Sequence, residues 1–200
     1  MKLHEMNFRD INQQIIRIQG NEIVKQIHSM KLDANGLIAG MFYCYIDHEK
    51  GITFELLALE LEDGKYLIAP KEYSYKLRCR PLLDEEIEIL NDVNREMFKE
   101  KIDTIDEIYK VSEDILKTRY IKEIDDSRHS EYPDDVRVFL LKKDKNPEAC
   151  WVRIIGTNER KLTGKILTKT MQDFDLELEE IIEFGTMTME DNSISCVCIL

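Results

Sequence analysis

No apolar run in this sequence approaches the roughly 18 residues that a membrane-spanning helix needs, so no spanning helix is expected. Glycine (8) and proline (4) are sparse, which argues against a disordered or collagen-like chain. The five cysteines, Cys44, Cys79, Cys150, Cys196 and Cys198, form an odd and scattered set with no C-x-x-C pair. Neither a disulfide framework nor a zinc ribbon is suggested, and reduced, mostly buried thiols are expected. Residues Met1-Lys2-Leu3-His4-Glu5 lack the charged-then-apolar pattern of a signal peptide, and a cytoplasmic location is expected. Prenylation needs cysteine fourth from the end, where Val197 stands. Catalytic signatures are missing as well: there is no G-x-S-x-G elbow, no G-x-x-x-x-G-K-[ST] and no G-x-G-x-x-G. Catalytic groups that meet only in three dimensions are not excluded by that.

What is present is a globular composition, 43% hydrophobic and 34% charged, in 200 residues. This suffices for one large domain or two small ones. From Phe8 to Met30, the residues Phe8, Ile11, Ile15, Ile18, Ile23, Ile27 and Met30 recur mostly at three- and four-residue steps, which predicts one or two amphipathic helices interrupted at Gly20-Asn21. A hairpin about Gly20-Asn21 is the alternative, but it pairs Ile16 with Lys25 and Arg17 with Val24, mixing apolar with polar. Strands are predicted at Leu37 to Ile46, Ile52 to Leu61, Lys65 to Ala69 and Tyr73 to Leu82, joined by short connections into an antiparallel meander. Asp84 then reads as the cap of a helix carrying Ile87, Leu90, Met97 and Phe98, and Thr104-Ile105-Asp106-Glu107 as a capping box opening a second.

The polar, proline-bearing stretch that follows is the best linker in the chain. Beyond it, strands are predicted at Val136 to Leu141, Ala149 to Gly156, Lys161 to Leu167, Ile181 to Met189 and Ile194 to Leu200. The expected architecture is therefore α+β: an N-terminal helix, an antiparallel meander sheet and two helices over residues 1–127, a linker at 128–135, and a small five-stranded β-barrel or rolled sheet over 136–200.

The formal charge of −12 is unevenly spread along the sequence. Residues 1–80 hold 11 basic and 11 acidic side chains, residues 81–135 hold 8 and 18, and residues 136–200 hold 9 and 11. Such a field opposes nucleic-acid backbones and anionic membranes and favours a protein with a basic surface. The expected contact residues are Asp84, Glu85, Glu88, Asp92, Asp103, Asp106, Glu107 and Glu113, against the bland alternative that these acids simply solvate surface helices.

Three smaller constellations merit weighing. His129 lies among Asp125, Asp126, Glu131, Asp134 and Asp135, and a site built from Asp125, Asp126, His129 and Asp134 could hold a divalent cation. The spacing lacks the glycine and alternating ligands of a calcium loop, which favours a solvated linker. His48, between Asp47 and Glu49, is expected to face water in a hairpin turn. Lys76, Arg78 and Arg80 share one face of their strand and could receive an anion, although charged side chains on an edge strand more commonly block pairing with another chain.

The segments Glu148-Ala149-Cys150-Trp151-Val152, Leu162-Thr163-Gly164-Lys165-Ile166-Leu167 and Glu180-Ile181-Ile182-Glu183-Phe184 carry a resemblance. Through them residues 136–200 resemble a small bacterial β-domain of unknown function found among immunity proteins of toxin systems, which neutralise a toxin by binding it. The chain departs from that pattern at Glu179-Glu180, where the group has Gly-Asp, and carries no following D-W pair. The resemblance implies protein binding and transfers no functional residue. Physically, Trp151 is expected to fill a small core, and Gly164 to permit a bend or a close backbone approach.

The leading expectation is a non-catalytic acidic binding module, an immunity-type inhibitor of a basic partner being one form of it, with no cofactor. The alternatives are a metal-dependent enzyme with its site near His129, and a structural subunit of an assembly, which would be a homo-oligomer.

Overall fold

Three isoleucines in four residues decide the start of the chain. Ile15, Ile16 and Ile18 are all buried, and they belong to a strand, β1 (Ile15–Gln19), rather than to the helix their spacing suggests. β-Branched side chains pack well on a pleated surface, and here Ile16 and Ile18 pack into one face of the sheet and Ile15 into the other. It is preceded by the short helix α1 (Phe8–Ile11) and followed by α2 (Asn21–Ser29), so the predicted helical pattern holds only at its two ends. The computed structural model describes residues 1–29, 32, 35–158 and 161–200, and Met30, the last position of that pattern, lies outside them.

The chain divides into two compact units, Met1–Lys110 and Val111–Leu200. The division precedes residues 128–135, expected as the linker, which lie inside the second unit.

The first unit contains an antiparallel sheet of β1, β2 (Leu37–Asp47), β3 (Gly51–Leu61), β4 (Tyr66–Ile68), β5 (Lys76–Arg78) and β6 (Glu86–Ile89). Its order is β4-β3-β2-β1-β6, with β5 also on β3. The expected meander breaks at β5 because β3 is long enough to seat two short partners, β5 along Thr53–Glu55 and β4 along Ala58–Glu60. β6 occupies the place where a helix from Asp84 was expected, pairing Glu88 with Arg17 and Glu86 with Gln19. Its alternation Glu-Ile-Glu-Ile buries Ile87 and exposes both glutamates. Two helices do follow, α3 (Lys99–Ile108) and α4 (Glu113–Thr118). Thr104 is no cap: it sits within α3, and its hydroxyl donates to Glu100 O at 2.7 Å.

One sheet face packs Phe54, Leu56 and Ile16 against Ile23 and Ile27 of α2. Burying each such side chain is worth about 1.5–3 kcal/mol. The other face is covered over only part of its area, where Phe98, Ile102 and Ile105 meet Ile15, Met41, Tyr43 and Tyr45.

The second unit is a closed barrel of β7 (Asp135–Leu141), β8 (Glu148–Asn158), β9 (Lys161–Ile166), β10 (Ile181–Thr188) and β11 (Ile194–Ile199), in the order β10-β11-β7-β8-β9. The five predicted strands are all present. Only the β11–β7 pair is parallel. Alternate residues Val136, Val138, Leu140, Cys150, Val152 and Ile154 point inward, joined by Ile124 from the turn of 3-10 helix Lys122–Ser127 and by Phe174 from the β9–β10 connection. Trp151 stands between two inward residues and therefore points outward: it is half-buried against His129, ring centroids 5.0 Å apart, and does not fill the core as expected.

Gly164 does permit the close approach anticipated for it. A Cβ there would lie 2.4 Å from Val152 Cγ1 and 2.9 Å from the carbonyl oxygen of Arg153. Because one of those neighbours is main chain, Gly164→Ala should cost the barrel about 1–3 kcal/mol. Urea unfolding followed through Trp151, the single tryptophan, measures this. A midpoint equal to wild type would show that the wall yields freely.

Candidate functional site

The acidic residues expected to contact a partner do not share one helical face. Glu88 is on strand β6, Asp92 in the loop after it, Asp103 and Glu107 on the solvent face of α3, and Glu113 in the first turn of α4 in the second unit. Asp84 is exposed, with His4 Nδ1 at 3.4 Å. Two of the set serve the fold. Glu85 Oε1 accepts the main-chain N–H of Glu22 at 3.1 Å, satisfying one of the orphan donors at the start of α2. Asp106 Oδ1 accepts the Tyr43 hydroxyl at 2.7 Å. Counted by unit, residues 1–110 hold 15 basic and 21 acidic side chains and residues 111–200 hold 13 and 19, so each unit carries −6. The excess that is concentrated along the sequence is divided evenly between the two units.

The metal reading fails on geometry. Asp134 is buried and forms a bidentate pair with Arg119 at 2.9 and 2.7 Å. Asp125 Oδ1 accepts from Arg128 Nε at 3.1 Å, and Asp126 is exposed. His129 Nδ1 accepts the N–H of Glu131 at 3.1 Å, which leaves the ring proton on Nε2, and the ring lies against Tyr132 and Trp151. Among the described residues no group of three or more His, Cys, Asp and Glu side chains converges to hold a metal ion. None of the five cysteines is in a disulfide and all are buried, burial pushing Cys150 up to about 11.

Two features of the first unit do gather functional groups, and both lie on the sheet face that carries α3. The first is the half that α3 leaves open. Strand register places Glu86 and Glu88 (β6), Gln19 and Arg17 (β1), Ala39 and Met41 (β2), Glu60 and Ala58 (β3), and Tyr66 and Ile68 (β4) in rows across it. Arg17 Nε donates to Glu60 Oε2 at 2.6 Å and Nη1 to Gln19 Oε1 at 2.6 Å. The Glu60 hydrogen bond raises the Arg17 pKa, partly offset by burial, and Glu88 adds to the rise. Two carboxylates thus act on one guanidinium, and the third, Glu86, accepts from Gln19 Nε2 at 3.2 Å. At the β4 edge Tyr66 and Ile68 are 54% and 53% exposed, too much apolar surface for an edge strand held only by β3. The opposite edge is shielded, since Lys2 bridges Glu86 and Ile87 N–H donates to Met1 O at 2.8 Å. A hollow of about 270 Å³ lies at that end, lined by Met1, Arg17, Gln19, Glu86, Ile87 and Glu88.

The second feature is buried beneath α3. Glu55 is 2% exposed, with Lys101 Nζ 3.9 Å from one carboxylate oxygen and Lys76 Nζ 4.0 Å from the other. Lys101 spends its protons on main-chain carbonyls, Leu56 O at 2.9 Å and Tyr73 O at 3.0 Å, tying α3 to β3 and to the segment before β5. Burial lowers the Lys101 pKa and Glu55 works against that. Lys76 donates to the Tyr109 hydroxyl at 2.6 Å, while Arg78 donates to Thr53 and lies 3.6 Å from Asp47. Two of the cations weighed as an anion site or edge protection, Lys76 and Arg78, are therefore engaged with acids and hydroxyls of their own unit, while Arg80 lies beyond β5 in the 3-10 helix Arg80–Leu82.

No family model, no curated protein and no solved structure matches this chain. No helix among the described residues is long and apolar enough to cross a membrane.

Sequence reasoning missed Glu60, Glu86 and the Glu55 cluster. The signals were available: Glu86-Ile87-Glu88-Ile89 alternates with the period of a strand, and Glu55 is a lone carboxylate inside the apolar run Ile52 to Leu59.

Proposed function

We propose that this chain is a binding protein that engages a basic protein surface through the open half of its first-unit sheet. The observation that carries this is the row of Glu60, Glu86 and Glu88 flanking Arg17 and Gln19, bordered by the exposed Tyr66 and Ile68. The exposed carboxylates Glu86 and Glu88 speed encounter with a cationic partner and select against anionic ones, while the apolar edge supplies area that gains by burial. Neutralising a basic partner by covering it, as an immunity-type inhibitor does, is the form of this function that the resemblance of residues 136–200 favours.

Glu86→Gln/Glu88→Gln removes two of the three acids at exposed positions of an edge strand, where the fold should change by no more than about 0.5 kcal/mol. Immobilised wild type should retain a basic protein at low salt and release it as salt rises, because screening shortens the range of such attraction to about 8 Å at physiological ionic strength. The double variant should release it at markedly lower salt. Equal retention by the two chains would overturn the assignment.

A further inference from the structure

We infer that Glu55 and Tyr45 together hold one small uncharged hydrogen-bonding molecule, water in dilute solution, beneath α3. Glu55 Oε2 and the Tyr45 hydroxyl are both buried, at residues 2% and 3% exposed, and neither makes a hydrogen bond of good geometry to a described residue, although the Tyr109 side chain lies close to Tyr45. Register makes them neighbours on the same face, since Tyr43 is opposite Glu55 and Tyr45 opposite Thr53. Side chains so placed are diagonal cross-strand neighbours, within reach of one another when one is aromatic. That proximity also bears on the Tyr45 hydroxyl: burial raises its pKa most, Tyr109 and then the Glu55 carboxylate raise it further, and Arg78 opposes them.

The surrounding charges select the class of ligand. Lys101 and Lys76 already flank Glu55, which disfavours a further cation. An anion would bring further acceptors to a carboxylate oxygen that lacks a donor. A neutral molecule that both donates and accepts satisfies Glu55 Oε2 and the Tyr45 hydroxyl at once. Leaving either group unmet would cost its desolvation with nothing in return, which is the force retaining the ligand. Buried waters commonly make about three hydrogen bonds, and the Tyr109 hydroxyl and the Lys76 ammonium are the nearby groups for the third.

The sign of one substitution tests this in the intact chain. If the Tyr45 hydroxyl binds a resident molecule, Tyr45→Phe deprives that molecule of a partner. Exchange of the slowest amides of β2 and β3 should then accelerate about tenfold, the equivalent of about 1.4 kcal/mol. If the hydroxyl is simply unpaired, its deletion removes a penalty, and exchange should slow. Unchanged or slower exchange overturns the inference. A second measurement needs no variant: cross-relaxation in the wild-type protein between solvent water and the Tyr45 ring protons should show a long-lived contact, and its absence would equally overturn the site.

Discussion

Arg119→Met should destabilise the second unit by about 3–5 kcal/mol, the cost of leaving a buried carboxylate without its partner. The guanidinium and the Asp134 carboxylate are 7% and 2% exposed, and two parallel hydrogen bonds join them. The same stretch is tied down further. Asp135 accepts from Arg153 at 2.7 and 2.9 Å, and the N–H of Ile154 donates to Asp134 O at 2.8 Å. Burying an ion pair is itself expensive, so Arg119→Met/Asp134→Leu should recover most of the loss rather than double it. The measurement is urea unfolding followed by Trp151 fluorescence, which reports the second unit alone because the chain has no other tryptophan. A single-variant loss below about 1 kcal/mol would place the pair among ordinary surface salt bridges and return residues 128–135 to the role of a solvated linker.

Lys101→Met should cost the first unit a similar amount, about 3–5 kcal/mol, by the same mechanism with a different readout. The substitution preserves the apolar stem of the side chain but removes the ammonium from Leu56 O, Tyr73 O and Glu55. Lys76, at 4.0 Å, becomes the remaining amine near the carboxylate. Amide exchange of β3 should therefore quicken by two orders of magnitude or more, roughly, at 1.4 kcal/mol per factor of ten. The Lys101→Met/Glu55→Leu pair should restore much of the protection. Exchange in Lys101→Met that matched wild type would mean that Glu55 is compensated elsewhere.

Much of this architecture was readable from the pattern of apolar residues, and its failures have physical causes. The barrel strands were placed closely because each alternates inward and outward positions between short polar turns. β2 and β3 were clear because long runs of buried residues are bounded by Gly51 and Gly64, both at positive φ. β1 was misread because Ile15 and Ile18 fit a helical stripe, while the adjacent Ile16 fits only a strand buried on both faces. Tertiary context decided that conflict. β6 was misread because Asp84 resembles a helix cap, although the four residues Glu86–Ile89 alternate strictly.

The candidate site was less legible. Its acids come from β3 and β6, separated by more than 20 residues, and only sheet register brings them into one row. Glu88 was selected from the sequence and lies in that row, whereas Glu85 and Asp106 serve internal hydrogen bonds that composition does not reveal. Trp151 shows the converse error. Its size suggested the core, but its position between Cys150 and Val152 assigns it to the outer surface, and in a small barrel the period outweighs the volume.

The central claim concerns a location, so the most direct measurement is one that reports location: amide exchange of the intact chain with and without a basic partner that the wild type retains. Slowed exchange in Ile15–Gln19, Tyr66–Ile68 and Glu86–Ile89 on binding is the predicted result. Protection confined to residues 111–200, with those three strands unchanged, would contradict it.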